Sequence, residues 1–168
     1  LEELHAPAYP DSKQPLSVGL HPWWITPDWE NDFRQVERWS HNSQVKWIGE
    51  TGLDKNKGPL LSIQKEVFLA HIHLSESIKK PLLIHCVKAI DEVLTIKKGI
   101  NPKQLWIFHG FRGKPQQMHQ LLNAGFHISF GPKFNRESLF SCPIECRFLE
   151  TDDSGLLPSE VQSLQNMK

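Results

Sequence analysis

Four short hydrophobic runs in this chain each finish on a residue type that binds divalent metals. Val45-Lys46-Trp47-Ile48-Gly49 leads to Glu50, and Leu82-Leu83-Ile84 to His85. Leu105-Trp106-Ile107-Phe108 leads to His109, and Arg147-Phe148-Leu149-Glu150-Thr151 to Asp152. Two further runs have the same design: Ser17-Val18-Gly19-Leu20 ends on His21, and Phe126 to Phe130 ends at Gly131. Between these runs lie helical patterns over 27–40, 64–79, 89–98 and 115–123. Apolar strands alternating with helices specify βαβ units and a parallel sheet covered on both faces. The spacing brackets the roughly 30 residues per unit of an eight-stranded (β/α)8 barrel of about 250 residues, which builds its active site at the C-terminal strand ends. An open doubly wound sheet gathers its ligands near one switch point instead. No glycine-rich nucleotide loop is present. Six strands are legible, so the chain reads as one α/β domain over 1–168, a TIM-type barrel incomplete at both ends and lacking its first one or two strands.

Local chemistry sharpens this reading. Gly49 and Gly52 allow tight turns and close backbone approach beside Glu50, and the strand is expected to stop at Gly49. Thr26 is the expected N-cap of a helix with Pro27 in its first turn, and Gly99 the expected stop of the third helix. Leu1 to Pro15, broken by three prolines, reads as irregular.

A carboxylate and two imidazoles suit Zn²⁺, Mn²⁺ or Mg²⁺-type chemistry, and a catalytic site needs about three protein ligands plus an open position. Glu50, His85 and His109 meet that count. Asp152 could bind a second ion or act as base. A lone histidine at a strand end is more often a hydrogen-bonded structural residue; four metal-type residues at equivalent places are harder to explain that way. His71 and His73 point roughly 200° apart on their helix, so they make no ligand pair. Cys142 and Cys146 are spaced too widely for a zinc knuckle, Cys86 faces away from His85, and Lys79-Lys80 and Lys97-Lys98 suit helix C-termini. Arg112, Lys114 and Lys133 lie in loops after strands, where they could meet a phosphate or equally be solvated loop charges.

Formal net charge is zero, so no global field favours nucleic acid or membrane, although a local site still can. Three cysteines make no disulfide framework. No secretory signal is visible and no apolar run approaches the roughly 20 residues of a membrane span. A cytoplasmic protein with no membrane and no obligate protein partner is the expectation.

The motifs resemble the TatD family of metal-dependent deoxyribonucleases. They are Gly19-Leu20-His21-Pro22, Gly49-Glu50-Thr51-Gly52-Leu53-Asp54, Pro81 through His85 to Ala89, His109-Gly110-Phe111-Arg112-Gly113, Gly125 through Ser129-Phe130-Gly131, and Glu150-Thr151-Asp152. The resemblance runs from about residue 17 to 153. It implies a (β/α)8 barrel of the amidohydrolase-like kind holding one or two divalent ions. It implies hydrolysis of DNA phosphodiesters, typically from 3′ ends. By position, Glu50 would bridge two metals, His85 and His109 would complete one site, and Asp152 would serve the other and orient water. His21, Asp54, Arg112 and Lys133 would line the substrate pocket. Two departures stand out: no H-x-H pair precedes residue 17, and Val87 replaces the usual arginine. A barrel hydrolase of amides or lactones, and a non-catalytic barrel lacking one metal site, are the alternatives.

Overall fold

The computed structural model describes residues 15–166, so His5 and nearly all of the irregular N-terminal stretch lie outside the described residues. Six strands form one wholly parallel sheet: β1 (Leu16–Val18), β2 (Val45–Asp54), β3 (Leu82–Val87), β4 (Trp106–Phe108), β5 (Phe126–Phe130) and β6 (Arg147–Leu149). Spatial order equals chain order. Six helices are interleaved: α1 (Trp29–Ser40), α2 (Leu61–Ile78), α3 (Ile90–Ile100), α4 (Pro115–Asn123), α5 (Arg136–Ser141) and α6 (Pro158–Asn166). Pro22–Trp24 and Ile144–Cys146 are single 3₁₀ turns.

Parallel strands need long crossovers, and here the crossover helices bury the sheet's outer face. Phe68 and Ile72 of α2, Val93 of α3 and Met118 and Leu121 of α4 are almost completely buried with Ile48, Leu82, Ile84, Trp106, Phe126 and Ile128. The edge-on contacts of Trp106 with Phe68 and Phe126, at 5.6 and 5.7 Å between centroids, are a favoured aromatic geometry. The sheet curls. Ser17, Trp47 and Leu83 from β1–β3 share a cavity of about 630 Å³ with Leu149 at the end of β6 and Glu150 to Asp152 beyond it. The architecture is a six-stranded partial TIM barrel, two strands short of the eight that close one. Among the described residues, no helix is long and apolar enough to cross a membrane.

Element boundaries differ from the sequence expectations at places with a physical cause. β2 does not stop at Gly49 but continues to Asp54. Its register against β3 shifts between Ile48 and Thr51, an irregularity that carries the strand past Glu50. Gly49 and Gly52 act here by close approach rather than as a turn. A Cβ on Gly49 would lie 2.4 Å from the Leu83 carbonyl oxygen, and one on Gly52 2.0 Å from that of His85; both φ angles are positive, at 127° and 143°. α1 begins two residues later than expected, with Asp28 at the cap position. Thr26 Oγ1 accepts from the Asp28 N–H and donates to Asp32 instead of capping directly. α2 begins at Leu61, three residues early. α3 runs through Gly99 and stops at Asn101, which adopts the left-handed conformation that asparagine tolerates.

Candidate metal centre

The centre is built at the C-terminal end of the sheet around Glu50 Oε1. Three imidazole nitrogens surround that oxygen: His85 Nδ1 at 3.2 Å, His109 Nε2 at 3.4 Å and His21 Nε2 at 3.8 Å. Asp152 Oδ1 lies 3.8 Å from His109 Nε2. Burial opposes the charge on Glu50. The hydrogen bond from His85 and the nearby charges of His109, His21 and His85 outweigh it and hold the carboxyl below its usual range.

Two carboxylates, the buried Asp54 and the half-buried Glu150, fix how the ligand-type histidines present themselves. His85 turns Nε2 to Asp54 Oδ2 at 3.1 Å, and His109 turns Nδ1 to Glu150 Oε2 at 2.7 Å. The opposite nitrogen of each ring therefore faces Glu50. Carboxylate–histidine pairs of this kind orient metal-ligating imidazoles and set their tautomer. Two ligands about 2.0–2.1 Å from a tetrahedral ion lie about 3.4 Å apart. The Glu50 to His85 and Glu50 to His109 separations each match that spacing, so either pair fits a divalent ion, while the three metal-type residues whose ligand atoms lie within 4.8 Å of one another among the described residues are His21, Glu50 and His85. Burial lowers the basicity of His109, but its bond to Glu150 and the charges of Glu150, Glu50 and Asp152 prevail and raise its pKa to about 9.

His21 belongs to the one grouping of three metal-type residues found among the described residues, with Glu50 and His85. Distance alone would make it a ligand. Its Nδ1, however, accepts the Trp23 backbone N–H at 3.2 Å. The neutral ring then carries its proton on Nε2, which faces His85 Nδ1 at 3.1 Å. Burial, followed by the neighbouring His85 charge, pushes the His21 pKa below its ordinary value. In that neutral tautomer His21 Nε2–H is a hydrogen-bond donor beside Glu50 and His85.

Asp54 sits deeper than the pocket wall expected for it, at 3% exposure. It accepts from Trp23 Nε1 at 2.6 Å, from His85 Nε2, and from the backbone N–H groups of Asn56 and Lys57 at 2.7 and 3.1 Å. Gln64 clamps the same segment by accepting the Asp54 N–H and donating to the Asp54 and Pro59 carbonyls. Glu150 was not singled out from the sequence. The Ser129 hydroxyl, on a buried residue, donates to Glu150 Oε2, which marks Glu150 as a built-in partner of His109.

A protein-family model described as TatD related DNase matches residues 8–166. The chain belongs to the TatD related DNase family. It is similar to an uncharacterized metal-dependent hydrolase of Buchnera aphidicola subsp. Baizongia pistaciae, 35% identical over 160 residues, which cover 90% of this chain and 60% of that protein. It is also similar to the uncharacterized metal-dependent hydrolase YabD of Bacillus subtilis strain 168, 30% identical over 160 residues, covering 89% and 62%. The chain thus spans about 60% of the length of these curated relatives. The crystal structure of YJJV, a TatD homolog from Escherichia coli K12, matches with a TM-score of 0.77 at 21% identity, over 90% of this chain and 67% of that one.

In this TatD family chain the centre opens into a cavity of about 680 Å³, lined by His21, Trp23, Trp24, Glu50, His85, His109 and Asp152. Lys88, Arg112 and Lys133 line the same cavity, and none has an ion-pair partner among the described residues. His71 and His73 do not form a site. His71 is fully buried between Val67 and Leu20, and His73 is exposed. Cys86 packs against the core, where burial pushes its thiol up to about 12.

Asp54→Asn is expected to weaken metal binding about tenfold, because an outer carboxylate that orients a ligating histidine is typically worth 10- to 100-fold in affinity. Isothermal titration with Zn²⁺ or Mn²⁺ measures this. Unchanged affinity would show that Asp54 does not govern the presentation of His85.

Proposed function

We propose that this chain carries the catalytic centre of a metal-dependent deoxyribonuclease that hydrolyses DNA phosphodiester bonds. The observation that carries this reading is the pairing, in one cavity, of a carboxylate–imidazole centre with three cations that lack ion-pair partners. Metal-binding chemistry alone would serve amides or lactones equally. The added cations favour a substrate that brings several negative charges. The 3′-to-5′ polarity comes from the family resemblance.

Glu50, His85 and His109 would hold the ion, with Asp152 beside them for a second ion or for water. A divalent cation supplies Lewis acidity, acidifying water and drawing off charge as it builds on a phosphate. Asp152 stands at the cavity mouth, its side chain 36% exposed, where it can accept the proton of an attacking water. His21 Nε2–H faces the same centre and can donate to a phosphate oxygen. Lys88, Arg112 and Lys133 bind the phosphates on either side of the scissile bond, and Arg112 does so with a planar pair of N–H donors.

Release of nucleotides from 3′-labelled single-stranded DNA tests the reading, with Mg²⁺, Mn²⁺ or Zn²⁺ and with chelator. Release that requires metal is expected. No release with any of the three ions by folded protein would overturn it.

A further inference from the structure

We infer that Trp24 is a stacking platform for an unpaired nucleobase at the end of the substrate strand. The inference rests on the nuclease reading above and names the form of nucleic acid that the cavity takes.

Two adjacent tryptophans in the 3₁₀ turn after His21 differ sharply in their commitments. Trp23 is fully engaged. Its indole N–H donates to Asp54, its ring meets His21 and His85 edge-on at 4.9 and 5.6 Å, and the Lys57 ammonium lies 3.7 Å above its centroid. Trp24 shares only the Lys57 ammonium, 5.6 Å from its centroid. It is 69% exposed, and its indole N–H has no hydrogen-bond partner among the described residues. An isolated exposed indole would be unremarkable on a protein surface. This one lines the same cavity as Glu50, His85 and His109.

Its backbone is held firmly. Trp24 N–H donates to the His21 carbonyl at 2.9 Å, and Pro22 starts the turn with a fixed φ. The 55–59 loop closes against the turn so tightly that a Cβ on Gly58 would lie 2.4 Å from the Pro22 carbonyl oxygen. Asp54 ties this assembly to the metal centre, since it holds both Trp23 and His85. The backbone at Trp24 is therefore linked to the metal centre through Trp23, Asp54 and His85.

Nucleobases stack on aromatic rings whatever their sequence, because every base has a π-face. A base inside a duplex already stacks on both sides and offers Trp24 no free face. An unpaired terminal base does. Lys57, 5.6 Å from the Trp24 centroid, adds a cation at the platform, and Lys88, Arg112 and Lys133 of the same cavity take the phosphates.

The test compares two oligodeoxynucleotides, identical except that one ends in thymidine and the other in an abasic tetrahydrofuran residue. Equilibrium binding by fluorescence anisotropy is measured with wild type, Trp24→Ala and Trp24→Phe, and nucleotide release is followed in parallel. Wild type is expected to bind the thymidine end about tenfold more tightly. Trp24→Ala should erase the difference by weakening only that substrate, and Trp24→Phe should keep most of it. Equal binding of both ends by wild type, or a Trp24→Ala effect equal on both, would overturn the stacking role. Discrimination in binding without any release would leave the platform standing and remove the nuclease reading instead.

Discussion

Replacement of Glu50 by glutamine is expected to lower metal-dependent hydrolysis at least about a hundredfold while the fold survives. The two side chains have the same shape, and that of Glu50 is 27% exposed, so packing changes little. The electrostatics change completely. Glu50 Oε1 is the one point within 3.8 Å of imidazole nitrogens from β1, β3 and β4 segments. A neutral amide there removes the negative charge that balances a cation and offers only a weakly ligating oxygen. If the amide rotates, it places an N–H against nitrogens that must present lone pairs. The loss should appear in equilibrium metal binding as well as in turnover, while far-UV circular dichroism and melting temperature stay near wild type. Hydrolysis retained within about fivefold in a folded variant would show that Glu50 is not part of the machinery.

That a single residue can be so exposed to prediction reflects how the sequence encodes this site. In a parallel sheet each strand delivers its last side chains to one end. A metal-type residue after each of several apolar runs is therefore a three-dimensional statement that can be read in one dimension. His85 lies near the end of β3 in this way, His109 follows β4, and Asp152 follows β6. The sheet order was legible for the same reason, since short crossover helices leave each strand beside its predecessor.

What escaped the sequence depends on partners distant along the chain. Glu150 and Asp54 are carboxylates in a series of many. Only the folded chain brings Glu150 to His109, 41 residues away by their numbers, and Asp54 to His85. The continuation of β2 past Gly49 was also hidden. Glycines before and after a carboxylate suggest a turn, yet they serve here to bring β2 and β3 backbones together. The tautomer of His21 rests on a backbone N–H two residues later, a bond that no spacing rule reports.

His71 should make stability acid-sensitive, by about 3 kcal/mol between pH 6.5 and 4. The Val67 carbonyl can only accept, so His71 Nδ1 donates to it at 2.7 Å; Nε2 must then accept the Leu20 N–H at 2.9 Å. The ring is completely buried, and burial drives its pKa from 6.5 down to about 4 against the opposing bond to Val67. An unfolded chain binds a proton at this residue near pH 6.5, whereas the folded chain resists until about pH 4. The stabilisation is complete above the unfolded value and is lost as pH falls through the window, each pH unit costing about 1.4 kcal/mol. For a chain of this size the total corresponds to a melting temperature lower by roughly 6–12 °C. Other groups titrate at the acid end, so the comparison that isolates His71 is the pH slope of wild type against His71→Gln. The glutamine can still offer an oxygen to Leu20 and carries no titrating proton. Its slope should be flatter by the stated amount, and equal slopes would assign the acid sensitivity elsewhere. The consequence extends to the metal centre. A proton on Nε2 ends the bond to Leu20, the residue immediately before His21, so acid should loosen the donor beside the ligands before the sheet itself melts.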